Sequence, residues 1–241
     1  MITNPRRMTT SSDSLVDLLL GGTSFHAALG PEQVKRLRAD LHATPVKAGA
    51  CVAHRGAVAD AWVGVAKGLV KIENTGVDGR QTTLTHFSAG CWFGEGTLLK
   101  RAPWPFDAIA VTDCVLAFLP ISTFEWLLDS SIAFNRFLLD QLNARLAQFV
   151  ERCEHLRLHD AEHHVVHCLA ELVDPRLYPH TEDSIAVSQE GLAHLAGVSR
   201  SVVSRALHKL ERQGVVRVDY RSITLLDPSG LRRFSATMGS R

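Results

Sequence analysis

The sequence predicts an α+β chain in which an N-terminal antiparallel β-roll leads into one long helix and then a helical C-terminal unit. Three observations carry this reading. Residues 44–119 break into short alternating segments separated by glycine turns. Between Leu139 and Leu156 apolar residues recur at steps of 3, 4, 3, 4 and 3. From Val187 to Val218 caps, a turn glycine and apolar positions fall at the offsets that two closely crossed helices require.

A chain of 241 residues has room for two modest domains. Its 46% hydrophobic and 21% charged residues are those of an ordinary globular protein, so folding and solubility are expected. No run approaches a membrane span, and Met1–Asp13 is polar with no apolar signal core, so a cytoplasmic location without membrane association is expected. The five cysteines are scattered and form no C-x-x-C pair, which argues against a disulfide framework, a zinc ribbon or a local iron–sulfur ligand set. No metal site is read.

In chain order, residues 1–14 are expected to be a disordered polar tail and 15–121 a sensor domain. Leu29–Leu41 carries a helical pattern with Pro31 in its first turn. Strands are expected at Ala50–Ala53, Ala61–Val65, Leu69–Asn74, Thr82–Phe87, Asp107–Val111 and Val115–Leu119. Residues 122–158 read as a long helix, interrupted near Asp129–Ser131, with a hinge at Leu158–Asp160. Its apolar seam of Leu139, Leu142, Leu146, Phe149, Cys153 and Leu156 has the spacing of a two-chain coiled coil, so a homodimer is expected, the alternative for so short a repeat being a helix packed on its own domain. Residues 159–241 form the last domain: a helix over Ala161–Val173, a polar loop, then the two-helix motif.

That motif is the most specific signal in the chain. Ser188 is placed to cap a helix over Gln189–Ala196, Gly197 to take a left-handed turn, and Ser199 to cap a second helix running to Gln213. Ala193, Gly197, Val203 and Ala206, with Leu192, Leu195, Val198, Leu207 and Leu210, make one apolar side. The opposite side presents Arg200, Ser201, Ser204, Arg205 and His208. From Ser199 to Arg217 there are five basic residues against one acid, a local excess of four on a chain whose net charge is +1. A cationic, polar-faced second helix is what a DNA groove selects, and arginine can bond guanine bidentately. Ser188, Gln189, Ser199, Arg200, Ser201, Ser204, Arg205, His208 and Lys209 are therefore the candidate DNA contacts, Arg200 and Arg205 foremost. The short runs Gly214–Arg217 and Ser222–Leu226 fit a two-stranded wing, where Arg217 and Arg221 either touch phosphates or do nothing.

At this point the chain resembles the cyclic-AMP receptor protein and fumarate–nitrate regulator (CRP/FNR) family. The resemblance rests on the roll, the segment GCWFGE at Gly90–Glu95, the long helix, and VSRSVVSR at Val198–Arg205. It implies a cyclic-nucleotide-binding-like roll, a dimerisation helix and a winged helix-turn-helix. It further implies a homodimer on palindromic double-stranded DNA, contact with RNA polymerase, and no catalytic activity.

The departures from the family matter as much. Cyclic-nucleotide-binding members follow Gly-Glu, about ten residues on, with an arginine for the cyclic phosphate. Here Gly94-Glu95 is present, but the matching position falls at Trp104-Pro105, and Arg101 fits only if the loop is shortened. Burying a phosphate without its cation is costly, so cyclic AMP in the family's usual mode is not expected and the effector is unknown. Phe93, Gly94, Glu95, Arg101 and Trp104 are the candidate effector residues, while Trp92, Phe93, Trp104 and Phe106 either fill the roll or line an apolar pocket. The N-terminal cysteine cluster of iron–sulfur members is absent, and Ser201 stands where the family often has a cytosine-reading glutamate.

His155, His159, His163, His164 and His167, beside Cys168, suit either a transition metal or a pH response, or are simply solvated helix surface. His54 and His86 have no specific haem-ligating spacing, and Cys153 on the seam faces either solvent or its symmetry mate. The alternative function is a ligand-, haem- or metal-sensing signalling protein of the same fold. An oxygenase would need more histidines across the strands than His54 and His86 supply.

Overall fold

The computed structural model describes residues 6–76, 79, 81–158, 160–174, 184–185, 187–219 and 222–237. They fall into two compact units, one of residues through Glu73 with His86–Asn143, the other of Asn74–Thr85 with the chain from Ala144 on. The expected division at 121/122 and 158/159 differs from this one. The long helix contributes to both units, and Asn74–Thr85 clusters with the C-terminal unit. Among the described residues no helix is long and apolar enough to cross a membrane.

The first unit opens with helices α1 (Arg6–Gly21), α2 (Ser24–Ala27) and α3 (Pro31–Asp40). Helix therefore begins well inside the stretch expected to be a disordered tail, because Leu19 and Leu20 at its far end are fully buried and anchor it. Strands β1 (His42–Val46), β2 (Cys51–Ala53), β3 (Ala61–Lys67), β4 (Leu69–Thr75), β5 (Gln81–Ser88) and β6 (Trp92–Phe93) follow. Then come α4 (Glu95–Leu99), β7 (Asp107–Ala110), β8 (Cys114–Pro120), α5 (Ile121–Ser130) and α6 (Ile132–Leu158). The strands make two four-stranded sheets, in orders β1-β8-β3-β6 and β2-β7-β4-β5. The six expected strands are present within a residue or two, and the helix break falls at Ser131 as expected.

Strand β3 is buried on both faces, from Trp62 to Ala66, because α1 and α5 pack against it. The Trp62 ring stacks on Trp92 at 4.1 Å and meets Phe124 and Phe134 edge-on at 5.7 and 5.5 Å. Such pairs add about 0.5–1.5 kcal/mol each beyond their area burial. This aromatic knot is the core of the unit.

The second unit contains α7 (Ala161–Glu171), β9 (Ser184–Ile185), α8 (Gln189–Ala196), α9 (Arg200–Arg212), β10 (Val216–Val218), β11 (Ile223–Leu225) and α10 (Pro228–Thr237). Asp160 caps α7 by accepting from the His163 N–H at 2.9 Å. Helix α7 packs against α8, α9 and α10, and its Val165, Val166 and Leu169 are buried. The wing is a three-stranded sheet in order β10-β11-β9, one strand more than expected.

Candidate nucleic-acid interface

The helix pair is built from local signals. Ser188 Oγ accepts from the Gly191 N–H at 3.0 Å and starts α8. Gly197 ends it at φ 65°, ψ 30°, a conformation in which a β-carbon is penalised. The chain then reverses and α9 starts at once. Val203, Ala206, Leu207 and Leu210 of α9 are buried, as are Leu192, Ala193, Leu195 and Ala196 of α8. At roughly 1.5–3 kcal/mol for each large side chain, this contact fixes the crossing of the two helices.

What remains outside is the predicted polar face. Arg200, Ser201, Ser204, Arg205 and His208 are exposed, and Gln189 and Lys209 half-buried. Ser199 occupies the position preceding α9, but its hydroxyl makes no cap bond and lies 2.9 Å from the Ser201 hydroxyl instead. Ser188 Oγ accepts in the cap, and its O–H is the group that can donate to a phosphate.

The charges on this face are not equally free. Glu162, in the first turn of α7, lies 3.3 Å from Arg205 Nε and 3.9 Å from Lys209 Nζ. Among the described residues no carboxylate pairs with Arg200. Glu211 Oε1 accepts from the Val218 N–H at 2.9 Å and ties α9 to the wing. In the wing Arg217 is paired with Asp219 at 3.6 Å, while Arg221 lies outside the described residues. Sequence reasoning missed Glu162, whose only local signal is an acid in a helix's first turn.

In the roll, Gly94 has φ 97°, and a β-carbon added there would sit 2.5 Å from Trp104 Cη2. The indole is packed directly onto the glycine. Phe93, Glu95 and Trp104 are all buried, and Trp62 Nε1 donates to Glu95 Oε2 at 3.4 Å. Arg101, a candidate effector residue only if the loop is shortened, has an exposed guanidinium that lies 2.8 Å from Glu125 on α5. Trp92, Phe93 and Trp104 fill the roll, with Phe106 half-buried beside Trp104 at 5.6 Å.

On α7 the buried histidines are His163 and His167, with His164 half-buried. The side chains of His155, Leu156 and His159 lie outside the described residues. Burial pushes the Cys168 thiol up to about 12, so it behaves as a small hydrophobe. Arg152 donates to the Leu84 carbonyl at 2.6 Å and pairs with buried Glu171 at 2.7 Å. Burial raises the Glu171 carboxyl despite this partner.

A sequence model of the cyclic nucleotide-binding domain matches residues 43–131, and one of the Crp-like helix-turn-helix domain matches residues 163–234. The Cyclic AMP receptor protein of Thermus thermophilus is 30% identical over 212 residues, 86% of this chain and 96% of its own. This chain belongs to the CRP/FNR family. It is a DNA-binding transcription regulator. The transcriptional regulator SdrP of Thermus thermophilus is 29% identical over 177 residues, 73% of this chain and 84% of its own. A solved CRP/FNR-family transcriptional regulator from the same organism shares 27% identity at a TM-score of 0.62, covering 82% of this chain and 100% of its own.

Proposed function

We propose that this CRP/FNR regulator acts in the cytoplasm as a homodimer on a palindromic operator, where it contacts RNA polymerase. On this reading it is controlled by an effector other than cyclic AMP bound in the family's usual mode. The observation that carries the dimer is a ridge on α6. Leu139, Leu146 and Phe149 are 65%, 63% and 48% exposed, Cys153 is exposed and Leu142 half-buried, all on the predicted seam. Ile132, seven residues before Leu139 and 73% exposed, extends the seam by a heptad. Such a row left in water is costly, and a second copy of α6 is the partner whose pattern matches it. Two copies then present two α9 helices to two half-sites about one helical turn apart.

The effector reading rests on the roll. Glu95 is engaged by Trp62, Trp104 covers Gly94, and Arg101 is held by Glu125, so the groups that would take a ribose and a cyclic phosphate are occupied or elsewhere. The contacts proposed for DNA are Arg200 and Arg205 to base edges, with Ser201, Ser204, His208 and Lys209 beside them and Ser188, Gln189 and Ser199 toward phosphate.

The test pairs two measurements on the full chain, with an operator taken from genome-wide binding-site mapping. Sedimentation equilibrium should show a dimer that Leu146→Glu with Phe149→Glu converts to monomer, with operator binding lost. Arg200→Ala and Arg205→Ala should leave the dimer intact and each cost about 1–3 kcal/mol of site discrimination in gel shifts at fixed salt. A wild-type monomer that binds the operator normally would sink the dimer, and unchanged discrimination in both arginine variants would sink the assigned contacts.

A further inference from the structure

The roll carries a second cluster that neither the nucleotide segment nor the DNA face uses. Cys51 lies on β2, His54 in the turn that follows, and Asp107 opens β7, which pairs with β2 through Cys51↔Ile109 and Ala53↔Ala108. Cys51 Sγ is 3.2 Å from His54 Nδ1, and His54 Nδ1 is 3.7 Å from Asp107 Oδ1. One donor atom from each residue lies within 4.8 Å of the others.

We propose that Cys51, His54 and Asp107 bind a thiophilic divalent cation of the zinc class. Tetrahedral bonds of about 2.3 Å to sulfur and about 2.0–2.2 Å to nitrogen and oxygen place ligand atoms roughly 3.4–3.6 Å apart. The Cys51–His54 and His54–Asp107 distances bracket that range, and the thiol and the carboxylate, within 4.8 Å of one another, draw together around the ion through rotation of the exposed His54 and half-buried Cys51 side chains. The donors are also held from behind. Asp107 Oδ1 accepts from the Arg55 N–H at 2.9 Å, the Ala57 N–H donates to the His54 carbonyl at 3.0 Å, and β2 is fixed by its ladder to β7. His54 is 76% exposed at the edge of its sheet, which leaves the fourth position facing solvent.

A cysteine, a histidine and an aspartate also suggest a nucleophile relay, but the geometry favours the ion. In a relay the histidine uses one ring nitrogen toward the thiol and the other toward the carboxylate. Here thiol and carboxylate converge on the same nitrogen, Nδ1, which has either a lone pair or a proton and cannot serve both. A cation at the point of convergence takes the Nδ1 lone pair, a carboxylate oxygen and the thiolate together, the thiol proton passing to solvent.

The experiment is a Co²⁺ titration of the metal-free full chain, followed by absorption. A thiolate-to-cobalt charge-transfer band with the visible bands of a tetrahedral ion should appear and be quenched by added Zn²⁺. Cys51→Ser should abolish the charge-transfer band. His54→Ala, a change at an exposed position that leaves the fold intact, should weaken Co²⁺ by more than the roughly 10–100-fold that loss of an outer partner costs. Asp107→Asn should weaken it as well, and Cys153→Ser should change nothing. Absence of the band in the wild type, its survival in Cys51→Ser, its loss in Cys153→Ser, or unaltered affinity in His54→Ala would each overturn the site.

Discussion

The α8–α9 face and the roll segment from Phe93 to Trp104 both carry family motifs, yet the structure treats them in opposite ways. On α9 the polar residues stand in solvent while their apolar neighbours lock the helix from beneath. In the roll, Phe93, Glu95 and Trp104 are buried, an indole packs on Gly94, and Arg101 lies at the surface beside Glu125. A surface that must meet DNA constrains side chains to stay out. In the roll the same kind of positions are filled by packing.

The largest effect expected from breaking that contrast comes from beneath the reading face. Leu210→Ala removes a fully buried side chain of α9 and should cost about 2–5 kcal/mol in urea denaturation, with operator binding falling in step. A cost below about 1 kcal/mol would mean that α9 is held by something other than this apolar side. Next, Gly94→Ala drives a methyl into Trp104 at a left-handed backbone position, so overpacking and strain together should cost about 2–3 kcal/mol. A neutral result would show that the indole leaves easily and that the roll opens to a ligand.

Smaller changes sharpen the comparison. Asp160→Ala should cost about 1 kcal/mol in thermal melts by removing the α7 cap. The His163 N–H bond holds the Asp160 carboxyl below its ordinary value. Its contribution is therefore complete above the unfolded carboxylate pKa and is lost as pH falls through the depressed folded value. Wild type and variant should accordingly converge at acid pH. Smallest of all, Glu162→Gln frees Arg205 and Lys209 from an exposed pair worth at most about 1 kcal/mol. Operator affinity should rise by up to several-fold with a steeper salt dependence in gel shifts, whereas weaker binding would mean that Glu162 aims Arg205 at the DNA.

The helix pair was legible because its signals are local: a cap at Ser188, a turn glycine at Gly197, and apolar residues at helical spacing. The strands were legible from glycine punctuation, but β1 was not. Its segment from His42 to Val46 lacks alternating burial, contains Pro45, and among the described residues pairs only with β8, at the edge of its sheet. The two-residue strands β6 and β9 are too short to show any period.

By itself, then, the sequence determined six strands of the roll, the helix pair, the family and the chemistry of the reading helix, since each depends on residues close together in the chain. Tertiary structure alone decided which charges are available. Arg205 and Glu162 are 43 residues apart in the chain, and Cys51, His54 and Asp107 are joined only by the pairing of β2 with β7. Coulombic and coordination chemistry depend on distance through space, which only the folded chain sets.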